Sequence, residues 1–257
     1  MTTNYLPITG LPAGGVSPSV IVCGDPERAD RIAARLADSV LLSHKREYRA
    51  HLGRYGDASI TVCSHGIGAP GAAVAFEELI AAGARRIIRV GTCGGLQPDI
   101  QPGCLVVATA AVQNTGYGRE VTPDGYPAVA ALDLTYQLGK VVDETGPANG
   151  LTGRRGDTGI ESISREDDAS PAGVAAPAAP DYQEMSRANV LAVEMECSAL
   201  FLVGGLRNVA TAAILVTDGN VLETRESMDS YSPRNEVVQR AIDVAALCAL
   251  ETLKNIE

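Results

Sequence analysis

The chain has 257 residues, 46% hydrophobic and 20% charged, enough for one large α/β domain or two small ones. Glycine is frequent (27) and proline ordinary (14), which rules out collagen-like or broadly disordered chains. The 31 acidic residues against 21 basic ones leave a net charge of −10, which argues against nucleic acid and anionic membranes as partners.

Residues 19–23 (SVIVC) form a short β-branched apolar run ending at Gly24-Asp25-Pro26, and predict a buried strand entering a turn. Residues 27–37 follow with helical period, Ala29, Ile32, Ala33 and Leu36 sharing a face. Residues 59–63 (SITVC) predict a second strand before His65-Gly66-Ile67-Gly68. An alanine-rich helix over 70–82 then begins with proline and ends at Gly83. Residues 86–90 (RIIRV) predict a strand ending at Gly91-Thr92-Cys93-Gly94-Gly95, and 104–109 (CLVVAT) a further strand. Residues 128–143 look helical, and 191–206 run from a strand into a helix. Residues 212–217 (AAILVT) are the last strand, ending at Asp218-Gly219-Asn220. An amphipathic helix closes the chain over 234–254, with Val237, Val238, Ala241, Ile242, Ala245, Leu250 and Leu253 inward.

Strands alternating with helices predict an α/β fold with a mainly parallel sheet covered on both faces. Ligands bind such sheets beyond the carboxyl ends of the strands, where Gly24, Gly66 and Gly91 are expected. Residues 161–180 break the pattern with a small, polar, proline-rich composition and are read as a flexible loop within a single domain covering 1–257.

The six cysteines are widely spaced, with no C-x-x-C pair, and four of them (Cys23, Cys63, Cys104, Cys248) lie in apolar runs. That spacing predicts buried free thiols in a reducing cytoplasm. The N-terminus carries no signal-peptide pattern, and no apolar run approaches the ~20 residues of a membrane span. Three scattered histidines without ligand spacing leave a metal site without support.

Gly66-x-Gly68-x-x-Gly71 matches the dinucleotide fingerprint literally, but the acidic residue expected about 20 positions on is missing. A tight turn with close helix–strand packing is preferred. Arg28 falls in the first turn of a helix, and Arg89 one residue inside the end of a central strand. An arginine there needs a partner: a bound anion, or an internal carboxylate. Arg28 has a solvated helix face as its alternative. Together with the glycine turns and Thr92, the two arginines suggest an oxyanion such as phosphate. Glu194 and Glu196 precede an apolar helix, where one acid suits the helix dipole and paired sugar hydroxyls would engage the other. Asp218 is open to two readings, an Asx turn or a general acid with a raised pKa.

Several segments together resemble the nucleoside phosphorylases of the hexameric type. They are VIVCGDPERADRIA, KREY (45–48), 62–100, YPAVAALD (126–133), 190–209 and ILVTDGN (214–220). The likeness is strongest to the protozoan purine enzymes, through the SHGIG, GGLQPDI and TDG stretches. It implies a three-layer αβα fold with a mixed, mainly parallel sheet, and phosphorolysis of nucleosides to free base and ribose 1-phosphate. No cofactor is implied beyond inorganic phosphate as co-substrate. The partners implied are a nucleoside, phosphate and further copies of the chain, as a hexamer built from three dimers with each site shared across a dimer.

Residue by residue, Gly24, Arg28, Arg89 and Thr92 match the family's phosphate positions, and Arg46 matches an arginine that serves the neighbouring subunit. Met195 and Glu196 match the ribose ligands, with Val193 and Glu194 flanking the nucleoside beside Cys93 and Gly94. Asp218 matches the acid that protonates a departing purine at N7, a position where uridine phosphorylases generally lack aspartate. Two places depart from the pattern. Tyr5 falls where the family commonly has a histidine for the 5′-hydroxyl. In the base-contacting loop Ile163 replaces a glutamine while Arg165 remains, and Gly159 and Ile160 replace aromatic residues of the purine enzymes.

Overall fold

The computed structural model describes residues 4–160, 182–222 and 236–256. The predicted strands and helices are found, with some boundaries moved. Strand β1 (Ser19–Cys23) is buried along its whole length and leads into helix α1 (Pro26–Ala33). Asp25 caps α1 by accepting the Glu27 N–H at 2.9 Å, and Pro26 supplies a preset φ at the first position. A hairpin of β2 (Ala37–Lys45) and β3 (Tyr48–Tyr55) follows, which the sequence pattern did not indicate. Strand β4 (Ala58–Ser64) then leads through Gly66 and Gly68 into helix α2 (Ala69–Ala81).

Strand β5 (Arg86–Gly95) is twice as long as expected. Gly91-Thr92-Cys93-Gly94-Gly95 is not a turn but the second half of this strand, because it pairs with the last strand throughout. Of the three glycines expected at strand ends, Gly24 and Gly66 are found there and Gly91 is not. Strand β6 (Leu105–Ala111) and the short helix α3 (Gly116–Val121) precede helix α4 (Leu132–Ala148). Helix α4 starts four residues later than expected, since Val129 bridges to Ala110 and Ala131 is extended. Next come β7 (Gly153–Ile160), α5 (Tyr182–Arg187), β8 (Ala192–Glu194), α6 (Cys197–Arg207), β9 (Ala210–Asn220) and α7 (Glu236–Lys254). Along α7 the expected inward residues are buried except Val237, which is 49% exposed. The 161–180 segment, with Ile163 and Arg165, lies outside the described residues, as does the expected start of the closing helix at 234.

All nine strands join one mixed, mostly parallel sheet in the order β2-β3-β4-β1-β5-β8-β7-β6-β9. Because β9 pairs with β5 as well as β6, strands β5, β8, β7, β6 and β9 close on themselves. Helices cover both faces, giving three layers. Phe76 of α2 and Phe201 of α6 belong to one apolar core. Ile32 of α1, Leu138 of α4 and Leu250 of α7 belong to the other. Burial of these faces is what holds the sheet between its helices. All six cysteines are free and buried. No helix of the described residues is long and apolar enough to cross a membrane.

Candidate active site

The carboxyl ends of β1, β4 and β5 open into a cavity of about 840 Å³, within the usual range for small-molecule sites. Its walls hold eleven residues expected at the site: Gly24, Arg28, Arg89, Thr92, Cys93, Gly94, Val193, Glu194, Met195, Glu196 and Asp218. Asp25, Glu47, Gly66, Ile67 and Val221 also line it. Glu47 and Ile67 stand beside residues that sequence reasoning had singled out, Arg46 and Gly66, but carried no signal of their own.

The glycine turns bring two loops into contact. Gly66 adopts φ +73°, donates its N–H to the Gly24 carbonyl at 3.0 Å, and would bring its own carbonyl within 3.1 Å of any Cβ at Gly24. Arg28 extends from the first turn of α1 and donates Nη1 to the Val90 carbonyl of β5 at 3.3 Å. Its Nε is buried without a hydrogen-bond partner among the described residues. The solvated-face alternative for Arg28 is therefore set aside. Burial lowers its pKa, with the charge of Arg89 acting the same way, so a bound anion would relieve both costs.

Arg89 has the internal carboxylate partners that the sequence left open. Its Nε and Nη2 reach Glu194 Oε2 at 3.3 and 3.2 Å, and Nη2 reaches Glu196 Oε2 at 2.5 Å. Burial alone would lower the arginine's pKa, but Glu196 and then Glu194 override it and push the value up.

The two glutamates divide their work. Glu194 also accepts the N–H groups of Glu196 and Cys197 at 2.9 Å, capping the start of α6. This is the helix-terminus role foreseen for one of them. Burial raises its carboxyl above the ordinary range against the pull of Arg89. Glu196 accepts the Gly68 N–H at 2.5 Å, joining the start of α2 to the start of α6.

Asp218 is placed by an irregularity. Along β5 and β9, Cys93 pairs with Thr217 but Gly94 pairs with Gly219, so Asp218 is the extra residue of a bulge. It does not end the strand in an Asx turn, because β9 continues to Asn220. Bulges of this kind redirect a side chain next to a site. Burial, then the charge of Asp218, drives the neighbouring Cys93 thiol well above its usual pKa. Beyond it, Val193 packs with Leu96 and Val190 into an apolar cluster that Val221 joins.

Two expected site residues lie elsewhere. Arg46 is exposed, with φ +55°, at the tip of the β2–β3 hairpin and does not line the cavity of its own chain. Tyr5 bridges to Pro12 and is 58% exposed, also outside the cavity. Gly159 and Ile160 pair with Val193 and Glu194 at the end of β7. Among the described residues no group of His, Cys, Asp and Glu could hold a metal ion.

The model of the Phosphorylase superfamily matches residues 18–254. Uridine phosphorylase of Treponema pallidum is 33% identical over 240 residues, covering 92% of this chain and 90% of that protein. Purine nucleoside phosphorylase of Plasmodium falciparum is 36% identical over 207 residues, 79% of each chain. The crystal structure of purine nucleoside phosphorylase from Toxoplasma gondii in complex with immucillin-H superposes with a TM-score of 0.86 at 30% identity, covering 99% of this chain and 97% of that one.

Proposed function

The chain belongs to the phosphorylase superfamily, among the nucleoside phosphorylases, and from that footing we propose that it catalyses the reversible phosphorolysis of purine ribonucleosides to free base and ribose 1-phosphate. One observation carries the reading: a single cavity collects Arg28 and Arg89, the carboxylate of Glu196, and Asp218. The Arg89 guanidinium lies over Gly91, which stands opposite Leu215, three positions before Asp218 on β9, so roughly 10 Å of strand separates the two groups at ~3.3 Å per residue. That span suits phosphate at one end, ribose in the middle and base at the other.

Phosphate on Arg28, Arg89, Thr92 and the Gly24 N–H would sit beneath the anomeric carbon. As the bond from that carbon to the base nitrogen breaks, positive charge grows on the ribose ring and the phosphate oxygen bonds in its place. Positioning and preorganised charge supply most of the acceleration. Glu196 and Met195 would hold the ribose, and Asp218 would pass its proton to the departing base at N7. Glu194 acts indirectly, by orienting Arg89 and the start of α6. Apart from phosphate, the reaction as written needs no cofactor.

Asp218 favours a purine, since protonation at N7 has no counterpart in uracil. The Treponema relative, a uridine phosphorylase at 33% identity, keeps uridine as the second reading. Arg46, exposed and away from its own cavity, fits service to a neighbouring copy and so a homo-oligomer. The test is to incubate inosine, guanosine, adenosine and uridine with and without phosphate and assay free base. Base from the purine nucleosides only when phosphate is present is the expected result. Release without phosphate would make the protein a hydrolase, and no release from any nucleoside would make it a binding protein.

A further inference from the structure

His65 has no part in the mechanism above, yet it is completely buried directly behind the phosphate end of the cavity. Its main-chain N–H goes to the Cys23 carbonyl at 2.9 Å, and its ring packs edge-on against Phe76 with centroids 5.4 Å apart. One ring nitrogen, Nδ1, lies 2.8 Å from the Gly66 carbonyl, and the other, Nε2, lies 3.1 Å from Arg89 Nη1. A carbonyl only accepts and a guanidinium only donates. Nδ1 must therefore carry the hydrogen, and the Nε2 lone pair must accept from Arg89.

Resting on the phosphorylase reading, we infer that His65 is a positioning residue that holds Nη1 of Arg89 toward the phosphate by accepting its hydrogen bond with a neutral ring. The guanidinium is gripped on its other edge by Glu194 and Glu196. Without His65 nothing described holds the Nη1 edge. A third carboxylate in that place would hold it equally well but would quench the charge that phosphate needs. A neutral acceptor orients without quenching. Burial and the adjacent Arg89 charge keep the histidine well below its ordinary pKa, consistent with that neutral state. The Nδ1 bond to Gly66, which itself bonds Gly24, ties the arginine's orientation to the two glycine turns of the cavity floor.

Two isosteric variants separate this role from packing. His65→Asn keeps a donor where Nδ1 was and loses the acceptor at Nε2, whereas His65→Gln places an amide oxygen at the Nε2 position. The expected result is a phosphate KM raised about tenfold or more in His65→Asn, the scale of a charge-assisted hydrogen bond. Its nucleoside KM at saturating phosphate stays within about threefold, and His65→Gln stays near the unaltered enzyme on both. Melting temperatures of both variants show that each is folded. If the two variants share one phosphate KM, or if both substrates' KM values move together, the inference falls and the phosphorylase reading stands. Base release by the unaltered enzyme without phosphate overturns that reading and this inference with it.

Discussion

Arg89 donates Nη2 to Glu196 Oε2 at 2.5 Å, with side chains only 4% and 7% exposed. The groups proposed for phosphate and for ribose thus hold each other at the centre of the site. Removing the arginine strands two carboxylates in a buried place, and breaking a buried pair typically costs 3–5 kcal/mol. Arg89→Ala is expected to lose about 3 kcal/mol of unfolding free energy and at least about 100-fold in phosphate-dependent turnover. Urea denaturation and initial rates at varied phosphate measure the two effects. Unchanged phosphate dependence would remove the anion site.

Asp218 should matter to chemistry more than to binding. General acid catalysis contributes about 10²–10⁴-fold, so Asp218→Asn is expected to lower kcat for inosine within that range while KM moves little. A change smaller than about threefold in single-turnover rates would remove the acid role.

His65 also gives stability a defined pH dependence. Burial first, then Arg89 and Arg28, hold its folded pKa well below that of an exposed histidine. The unfolded chain binds a proton below about pH 6.5 and the folded one does not. This contribution is therefore fully present above about pH 6.5 and is lost as pH falls toward the folded value, at up to about 1.4 kcal/mol per pH unit. Glu194, whose carboxyl is raised, is common to the unaltered protein and His65→Gln, so the difference between them isolates the ring. Urea midpoints from pH 8 to pH 5 should converge with falling pH, and a constant difference would contradict the assignment.

Much of the sheet was legible in the sequence because β1, β4, β5, β6 and β9 each contain a short, largely β-branched apolar run that is buried. The β2–β3 hairpin was not, since Val40 and Leu41 of β2 are more than half exposed and show no alternation. The length of β5 was hidden because its glycines signal a turn wherever no partner strand is known. Most site residues could be named because they sit at strand ends or in a motif. The contact of Arg89 with carboxylates 105 and 107 positions away, the bulge at Asp218 and the role of His65 depend on tertiary pairing that no local pattern encodes.

The hairpin position of Arg46 yields a complementation test. If Arg46 serves a neighbour's cavity, Arg46→Ala and Asp218→Asn chains are each deficient alone. Mixed, dissociated and reassembled, they form some sites with an intact Asp218 and a donated Arg46. Recovery of purine turnover above the sum of the separate samples is expected, and no recovery would place Arg46 outside the active site.

The cavity of one chain sets two arginines against five carboxyl groups, those of Asp25, Glu47, Glu194, Glu196 and Asp218, so that even with Asp218 protonated the acids outnumber the arginines. On the phosphorylase reading, one phosphate would be held there by directed hydrogen bonds, and a substrate bringing a second phosphate would meet surplus negative charge in a cleft less well screened than bulk water. On that reading, the same imbalance would serve as a means of discrimination, favouring uncharged nucleosides over nucleotides, whose sugar already carries phosphate.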